Sequence, residues 1–573
     1  MDTHLSDSAL LASAAQCRAQ LTAPGAPFEL ETLAVNGQSM LAYRHAFSSL
    51  PALIQAGRVH ADLEFMVYEG DRWSFNRFFA AVDALAGRLQ AEHGVQKADR
   101  VAIAMRNRPE WAVAFAATAL LGAVPVPLNS YGLHEELMDN LRDVQPVLLI
   151  CDQDRYVRVA ADLPLLGCRP IVVDAPSSGN LDWATLISSG GPLAIPAALQ
   201  ADDHALILFT SGASSKAKGV LSTQRAVCQA LCNIDYIGAL SAMTSPAVVA
   251  VMMARRLQPT TLTAVPLFHV SGLHAQLLVS LRHGRRLVFM RRWDPAAALD
   301  MIRAERITQF NGAPAMVQQL LAQPGFDDPE LTGTLMGIGF GGAGLPQRLI
   351  DEVLKRRGEG MNGIGFGMTE TNGVGAAAAG NLFQSYPEKS GLLSPIIELR
   401  VAEFDGTPLP TGEAGELWLR GVTVMQAYWA QPEASAQVFS DGWLRSGDIG
   451  FLDANGFVRV VDRIKDVINR NGEKIASAEV ESCLLQHPGI VEAAVFAQPD
   501  ELTGEAVVAA VVTAPGVNLR EAAVRAHVAA HLAAYKVPVR VFLRSDPLPR
   551  NPAGKMLKTT LKRELSQAGA PRD

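Results

Sequence analysis

The sequence predicts an α/β fold with a large N-terminal domain of parallel-rich sheets covered by helices, followed by a small α+β C-terminal domain. The chain has 573 residues, which exceeds what one hydrophobic core usually serves, so at least two domains are expected. Helical and strand patterns alternate over the first part, as they do where helices connect parallel strands. Beyond Lys465 the pattern changes to short strands and a few helices, which indicates a separate small unit.

The N-terminal elements follow one another in alternating order after a leader. Residues 1–28 are interpreted as a loosely packed leader and residues 29–464 as the N-terminal domain. Apolar residues recur at helical spacing between 76 and 92, and short apolar runs of strand length follow. The predicted elements are a helix at 76–92, a strand at 100–105, a helix at 110–121, and strands at 124–127, 147–151 and 205–209.

The C-terminal domain is predicted to span residues 465–573. The turn sequence D-A-N-G at 453–456 separates two short strands just before it. The predicted elements around and beyond this boundary are strands at 442–444 and 457–461, a helix at 478–485, strands at 493–498 and 506–513, and a helix at 520–532.

Composition and charge argue against several classes of protein. The formal net charge is −7 without runs of like charge, so no nucleic-acid partner is expected, and the arginine pairs at 285–286 and 291–292 are interpreted as solvated surface. The 6 cysteines are scattered, as expected for reduced thiols in a cytoplasmic protein. The N-terminus lacks a signal-peptide pattern, and Gly and Pro interrupt the apolar stretches, so no transmembrane segment is predicted.

A hydroxyl-rich loop follows the strand at 205–209 and suits phosphate oxygens. It combines hydroxyl donors, a glycine that admits close backbone approach, and lysine charge. The candidate phosphate ligands are Thr210, Ser211, Gly212, Ser214 and Lys218. The spacing differs from that of a Walker A loop, and a solvated Ser/Lys turn explains the same residues equally well.

A second segment, G-I-G-F-G-M-T-E at 363–370, alternates glycines with one aromatic residue. Phe366 between glycines can stack on a flat base. Glu370 can hold Mg²⁺, which prefers oxygen ligands and is often shared with phosphate. The alternative is a glycine-rich turn followed by a helix cap.

Three further segments place charged or aromatic side chains in loops. Asp448 can accept both hydroxyls of a ribose, and Arg463 can reinforce that contact. Lys555 lies on a loop constrained by Pro and Gly, and His269 follows an apolar strand. Taken singly, each has an ordinary alternative, such as a turn aspartate, a surface ion pair or an exposed histidine.

The order and spacing of these segments together carry a much stronger signal. The chain contains G-F-G-M-T-E-T at 365–371, S-G-D-I-G at 446–450, D-R-I-K-D-V-I at 462–468, N-G-E-K-I at 471–475 and P-R-N-P-A-G-K at 549–555. In this respect it resembles the acyl-adenylate-forming superfamily, which includes acyl-CoA synthetases, luciferase and the adenylation domains of peptide synthetases. The resemblance covers nearly the whole chain after the leader and fits the AMP-forming acyl-CoA ligase branch.

This resemblance implies a role for each matching residue. The loop Thr210, Ser211, Gly212, Ser214 and Lys218 would hold phosphates. Lys465 would be the hinge of a mobile C-terminal domain. The remaining implied roles are adenine binding by Gly342, Ala343, Gly344, Phe366 and Gly367, α-phosphate contact by Thr369, Mg²⁺ binding by Glu370, ribose binding by Asp448 and Arg463, coenzyme A binding by Gly472 and Lys474, catalysis of adenylation by Lys555, and an acyl-pocket wall formed by His269 and residues 311–314.

Some positions depart from the family pattern. The phosphate loop usually reads T-S-G-T-T-G-x-P-K-G, whereas here Ala213 replaces a threonine, Ser215 a glycine and Ala217 a proline. The loop is therefore expected to be stiffer at Ser215 and freer at Ala217. Ser477 also stands where a proline is common.

The implied activity is activation of a carboxylic acid by ATP to an acyl-adenylate, followed by transfer of the acyl group to coenzyme A. Two alternatives remain: a ligase that loads a carrier protein, and a catalytically silent nucleotide-binding homologue. A homodimer is also compatible with the sequence. Small and apolar residues after His269 and at 337–342 leave room for a fatty, aryl or other bulky apolar acid, and no basic residue there would pair with a second carboxylate.

Overall fold

The computed structural model describes residues 7–174, 183–210, 217–341, 347–500, 502–551 and 554–568. It has the predicted mixed α/β architecture, with a large N-terminal part and a smaller C-terminal part. The predicted ligands Ser211, Gly212, Ser214, Gly342, Ala343 and Gly344 lie outside the described residues.

A four-stranded, fully parallel sheet forms from the first predicted strands. Its apolar strands are buried on both faces, which is why they read as continuous hydrophobic runs. In spatial order the strands are Val124–Pro127, Arg100–Ala104, Leu148–Cys151 and Arg169–Val172. The helices Phe75–Ala91 and Pro109–Leu120 pack with them in one apolar cluster.

A fourteen-stranded sheet forms the centre of the N-terminal part and changes character along its width. The strands from Glu64–Tyr68 to Gly363–Met368 are parallel, and those beyond are antiparallel. In spatial order its strands are Ile397–Ala402, Gly415–Gly421, Trp443–Leu452, Phe457–Arg463, Gly391–Leu393, Gly373–Ala379, Gly363–Met368, Gly337–Gly341, Gln309–Gly312, Thr260–Thr263, Arg286–Phe289, Glu64–Tyr68 and Asp71–Ser74, with Phe439–Ser440 paired to Trp443–Leu452.

Two small antiparallel sheets and a set of helices complete the N-terminal part. The strands are Leu30–Val35 with Gln38–Tyr43, and Ala427–Tyr428 with Gly219–Thr223 and His204–Phe209. The other helices are Asp7–Thr22, Leu50–Ala56, His134–Val144, Gln153–Val159, Trp183–Leu186, Gln224–Thr244, Pro246–Ala254, Val270–Gly272, Val279–His283, Pro295–Ala304, Pro314–Leu321, Pro329–Thr332, Gln347–Arg357, Asn381–Ser385 and Pro432–Val438, with a π-helical turn at Leu273–Leu278.

A five-stranded sheet with its own apolar core forms from the residues beyond Lys465. Its strands are Glu473–Ile475, Ile468–Arg470, Gly504–Thr513, Ile490–Asp500 and Arg540–Arg544, and its helices are Ser477–Gln486, Glu521–His531 and Lys558–Ala568. Lys465 lies in the 3₁₀ turn Ile464–Asp466, between the last strand of the large sheet and the first strand of this one. The turn supports placing the domain boundary there.

The sequence pattern predicted a loosely packed leader, but part of this segment forms a packed helix. Residues Asp7–Thr22 form a helix whose face of Leu10, Ala14, Cys17 and Leu21 is buried against the N-terminal part. These positions recur every three or four residues, so the helix was visible in the pattern. The small side chains of Ala14 and Cys17 weakened the signal.

Among the described residues, one helix, Gln224–Thr244, is long and apolar enough to cross a membrane by length and composition alone. Most of it is buried inside the protein, as in the core helix of a folded domain. Such a helix is weak evidence for a membrane span.

Candidate functional site

A cavity of about 2180 Å³ runs between the large sheet and the C-terminal part. Its glycine-rich wall comes from two neighbouring strands whose glycines are paired in register, Gly339 opposite Gly363 and Gly341 opposite Gly365. Alternate residues of a strand point to the same face, so the glycines leave that face without side chains. The strands thus form the wall of a wide slot.

Asp448 and Arg463, the predicted ribose ligands, are neighbours on paired antiparallel strands. The Arg463 Nε lies 2.9 Å from Asp448 Oδ1, and Asp448 is only 2% exposed. Burial raises the pKa of Asp448, while the positive charges of Arg463 and Lys555 oppose that rise. Arg463 lines the cavity and Asp448 lies behind it, so a ribose would share this carboxylate with the guanidinium.

Lys555 enters the same cleft from the C-terminal part. The backbone N–H of Lys555 donates to Asn551 Oδ1 at 2.8 Å, which fixes the turn. The neighbouring Gly554 (φ +79°) lies so close to Ala313 that an added Cβ would be 2.5 Å from the alanine Cβ. The side chain remains accessible from the cleft. Desolvation by the surrounding protein and the charges of Arg463 and Lys465 nevertheless lower the pKa of Lys555 to about 8.

Glu370 and Lys218 meet at Tyr428, a residue the sequence analysis missed. The Tyr428 hydroxyl donates to Glu370 Oε1 at 2.8 Å, and the Lys218 Nζ lies 4.8 Å from the centre of the tyrosine ring. Burial raises the pKa of Glu370, and the bond from Tyr428 opposes it. The sequence signal for Tyr428 is an aromatic pair with Trp429.

Glu370 fits the magnesium role. It is a buried carboxylate, 8% exposed, and within the described residues no ion pair reaches it. A divalent cation bound at Glu370 would compensate the negative charge of the buried carboxylate. Phosphate oxygens and water would complete the coordination of the cation. Thr369, next to it, lines the cavity.

Two hydrogen bonds join the strand ends on either side of the predicted phosphate loop. The Thr210 N–H donates to Lys218 O at 2.9 Å, and the Lys218 N–H donates to the Thr210 hydroxyl at 3.3 Å. Both residues therefore stand at the base of the loop, where a hairpin brings a hydroxyl beside a lysine.

Phe366 does not line the cavity. Its ring is 8% exposed and packs in an apolar cluster with Ala376 and Ile397, so this arrangement does not support stacking on adenine. Gly367 does line the cavity, and a Cβ there would lie 1.9 Å from Gly373 O. The sequence could not show that the strand register turns the ring inward.

The part of the cavity that is predicted to hold the acyl group has more polar side chains than the sequence indicated. His269 lines it, and its buried Nε2 has no hydrogen-bond partner among the described residues. His274, on the π-helical turn, is fully buried, and its Nδ1 lies 2.8 Å from Asn372 O. Burial lowers the pKa of both histidines to about 4, so both are neutral at pH 7. Residues 311–314 border the cavity, as expected.

The predicted coenzyme A residues lie away from the cavity. Gly472 (φ +86°) makes the tight turn of an exposed hairpin, and the Lys474 Nζ lies 4.5 Å from the centre of the Phe404 ring. Lys465, at the hinge, lines the cavity instead, and burial lowers its pKa. Lys555 thus lines the cavity together with Lys465, whereas the hairpin with Gly472 and Lys474 lies outside it.

Comparison with known proteins identifies the family to which the chain belongs. The sequence model of the AMP-binding enzyme family matches residues 53–429, and that of the AMP-binding enzyme C-terminal domain matches residues 479–555. Indoleacetate–CoA ligase of Aromatoleum aromaticum is 34% identical over 86% of this chain and 93% of its own length. Feruloyl-CoA synthase of an Amycolatopsis species is 34% identical over 84% of this chain and 92% of its own length.

Solved structures agree with this assignment. ATP-bound MatB from Rhodopseudomonas palustris superimposes with a TM-score of 0.79 at 26% identity, covering 90% of this chain and all of that one. The o-succinylbenzoate coenzyme A synthetase of Bacillus subtilis, in complex with ATP and magnesium, gives 0.71 at 28% identity, covering 89% and 98%. The predicted resemblance and fold class are therefore confirmed. The chain belongs to the AMP-binding enzyme family, in its AMP-forming acid–CoA ligase branch, whose reactions use ATP and coenzyme A.

Proposed function

We propose that the protein activates an aryl or other bulky, largely apolar carboxylic acid as its adenylate and transfers the acyl group to coenzyme A in the cytoplasm. The observation that carries this proposal is the wide glycine-walled cavity, which Thr369 and Lys555 also line. Support also comes from the relatives, since the names of two of them specify indoleacetate and feruloyl groups.

In the first step the acid's carboxylate attacks the α-phosphorus of ATP, and pyrophosphate leaves. Lys555 would reach both anions from the cleft, and Thr369 would contact the α-phosphate. Asp448 with Arg463 would bind the ribose, and Lys218 and Thr210 the phosphates. Such positioned charge lowers the barrier by holding two anions together. Mg²⁺ held at Glu370 would neutralise phosphate charge.

In the second step a thiol attacks the acyl carbon and AMP leaves. The hairpin with Gly472 and Lys474 would then have to reach the cavity, from which it is now excluded. A rotation of the C-terminal part about Lys465 would exchange it for Lys555. The present arrangement, with Lys555 in the cleft, suits the first step.

A panel of fatty, aryl and arylacetic acids tests the proposal. Pyrophosphate release should require an acid, ATP and Mg²⁺, and mass spectrometry should detect the coenzyme A thioester of the preferred acid. Release of pyrophosphate without thioester, but with acyl transfer to a carrier protein, would favour the carrier-loading alternative. Binding of ATP with no release for any acid would favour the silent homologue.

A further inference from the structure

One end of the cavity carries a guanidinium group with no acidic partner. Arg285 lies between the helix Val279–His283 and the strand Arg286–Phe289, and it lines the cavity. The sequence pattern indicated that Arg285 is part of the solvated surface and that no basic residue lies near the pocket. Its Nη1 donates to Gln309 Oε1 at 3.1 Å, and no carboxylate of the described residues lies within ion-pair distance.

The acidic groups around Arg285 are already engaged elsewhere. Asp235, which also lines the cavity, forms an ion pair with Arg282 and a hydrogen bond with His283 Nε2 at 2.9 Å. The adjacent Arg286 pairs with Glu64 at 2.6 Å. Arg285 is therefore the arginine of this group that has no counter-charge.

A row of polar side chains continues from Arg285 along the cavity wall. Gln309 Nε2 donates to Asn311 Oδ1 at 3.1 Å, and Gln276 Nε2 donates to Asn311 O at 3.4 Å. Gln276 is 1% exposed, and its Oε1 has no partner in the part of the chain that the structure describes. The strand neighbours of Gln309 and Asn311 are Gly337 and Gly339, so no side chain covers the row from that strand.

A buried, unpaired charge is costly unless an acceptor satisfies it. Burial alone lowers the pKa of Arg285, which agrees with the lack of a nearby carboxylate. A guanidinium presents its donors as a planar fork that matches carboxylate or carbonyl oxygens. Within the described part of the chain, Gln309 is the side chain that bonds to this fork, and Arg285 lines the cavity proposed to receive the substrate.

The position of Arg285 along the sheet separates it from the reacting end. Its partner Gln309 begins the strand Gln309–Gly312, whereas Ala313, just past the end, is where the loop of Lys555 packs. Gln309 and Ala313 are four residues apart, and at about 3.3 Å per residue the distance between them is on the order of 10 Å. An acid that fills the slot would reach both.

We infer that Arg285 binds a second oxygen acceptor, a carboxylate or a carbonyl, at the end of the acid substrate remote from the reacting carboxyl group. This inference rests on the proposed function and narrows its substrate class. An acid that is apolar in the middle and oxygenated at both ends fits the glycine slot and the polar row together.

The test compares acids of equal length that end in a methyl, a carbonyl or a second carboxyl group. For the wild type, kcat/KM of pyrophosphate release should be higher for at least one oxygenated acid than for its methyl counterpart. Arg285→Met should reduce that preference roughly 10- to 100-fold, since a site built for hydrogen bonds discriminates strongly. The carbonyl and carboxyl arms identify which acceptor is recognised.

Two further variants keep the result interpretable. Arg292→Met removes an equal charge from an exposed site outside the cavity and should leave the preference unchanged. Gln309→Leu removes the side-chain partner of Arg285 and should reduce the preference in the same direction. Equal use of methyl and oxygenated acids by the wild type, with no change of ratio in Arg285→Met, would overturn the inference while leaving acid activation intact. No pyrophosphate release from any acid would instead defeat the proposed function.

Discussion

At the scale of single residues, the nucleotide end of the cleft gathers three cations around one buried carboxylate. Arg463, Lys465 and Lys555 all line the cavity, and each acts on the pKa of Asp448. This excess of positive charge suits a triphosphate. Together with burial, it lowers the pKa of Lys465 and of Lys555.

Asp448 is the residue whose loss should weaken nucleotide binding most directly. Asp448→Ala would remove the proposed acceptor of both ribose hydroxyls and the carboxylate that pairs with Arg463. We expect ATP binding to weaken by about 2–4 kcal/mol, roughly 30- to 1000-fold, with the fold intact. Calorimetry measures the affinity, with Asp405→Ala on an exposed turn as the matched control. Unchanged ATP affinity would refute the ribose assignment.

The lowered pKa of Lys555 predicts an alkaline limit for adenylation. The ammonium form exists below a pKa of about 8 and is lost as the pH rises through that value. The kcat/KM of pyrophosphate release should therefore fall above pH 8, because this parameter reports the free enzyme. Lys555→Arg stays charged and should move the fall to higher pH, whatever its absolute rate. A profile identical in both proteins would assign the titration to another group.

At the scale of elements, the glycines of two parallel strands set the width of the acyl slot. Gly339 is the critical position because a Cβ there would lie 2.2 Å from Asn311 Oδ1. Gly339→Trp should abolish activity on large acids before small ones, by filling the slot and displacing Asn311. The relative kcat/KM across a size series tests this, and Lys355→Trp on an exposed helix face outside the cavity is the control. A uniform loss for all acids, or an unchanged size profile, would place the acyl group elsewhere.

The elements that could be predicted from sequence are those with strong local periodicity. The helix Phe75–Ala91 and the strands Arg100–Ala104 and Val124–Pro127 match their predicted spans to within one residue, because burial gives them unbroken apolar patterns. The antiparallel half of the large sheet went largely unrecognised. Many of its strands are partly exposed and pair with strands far away in the chain, so local sequence does not mark them.

The candidate site likewise contains residues that the sequence indicates and residues that only the three-dimensional packing reveals. Motif order indicated Asp448, Arg463 and Lys555, whereas the inward turn of Phe366 depends on strand register and bulges that the sequence does not reveal. Arg285 stands beside Arg286 in the sequence, yet only one of them meets acidic partners. Tertiary packing alone separates those two environments.

At the scale of the whole molecule, two arrangements of the C-terminal part should divide the reaction into separable halves. Lys555→Ala should slow acyl-AMP formation by roughly 100- to 1000-fold, since it removes a positioned charge from the transition state. It should leave thioester formation from synthetic acyl-AMP and coenzyme A largely intact. Lys355→Ala, an exposed lysine on a surface helix, is the control for both assays. Equal loss in both halves would contradict the two-arrangement mechanism, and loss in neither would make Lys555 an ordinary surface lysine.

The hinge carries polar bonds that connect the two halves of the molecule. Asp462 Oδ2, on the last strand of the large sheet, accepts the Ser477 hydroxyl at 2.9 Å and the Ala478 N–H at 3.2 Å, and both donors begin the first C-terminal helix. Lys558, paired with Glu481 at 2.6 Å, donates to the same serine hydroxyl. If the C-terminal part rotates about Lys465 as proposed, these bonds would have to break and re-form in every catalytic cycle. Their lifetime would then set how long the reactive anhydride is shielded from water before the thiol reaches it.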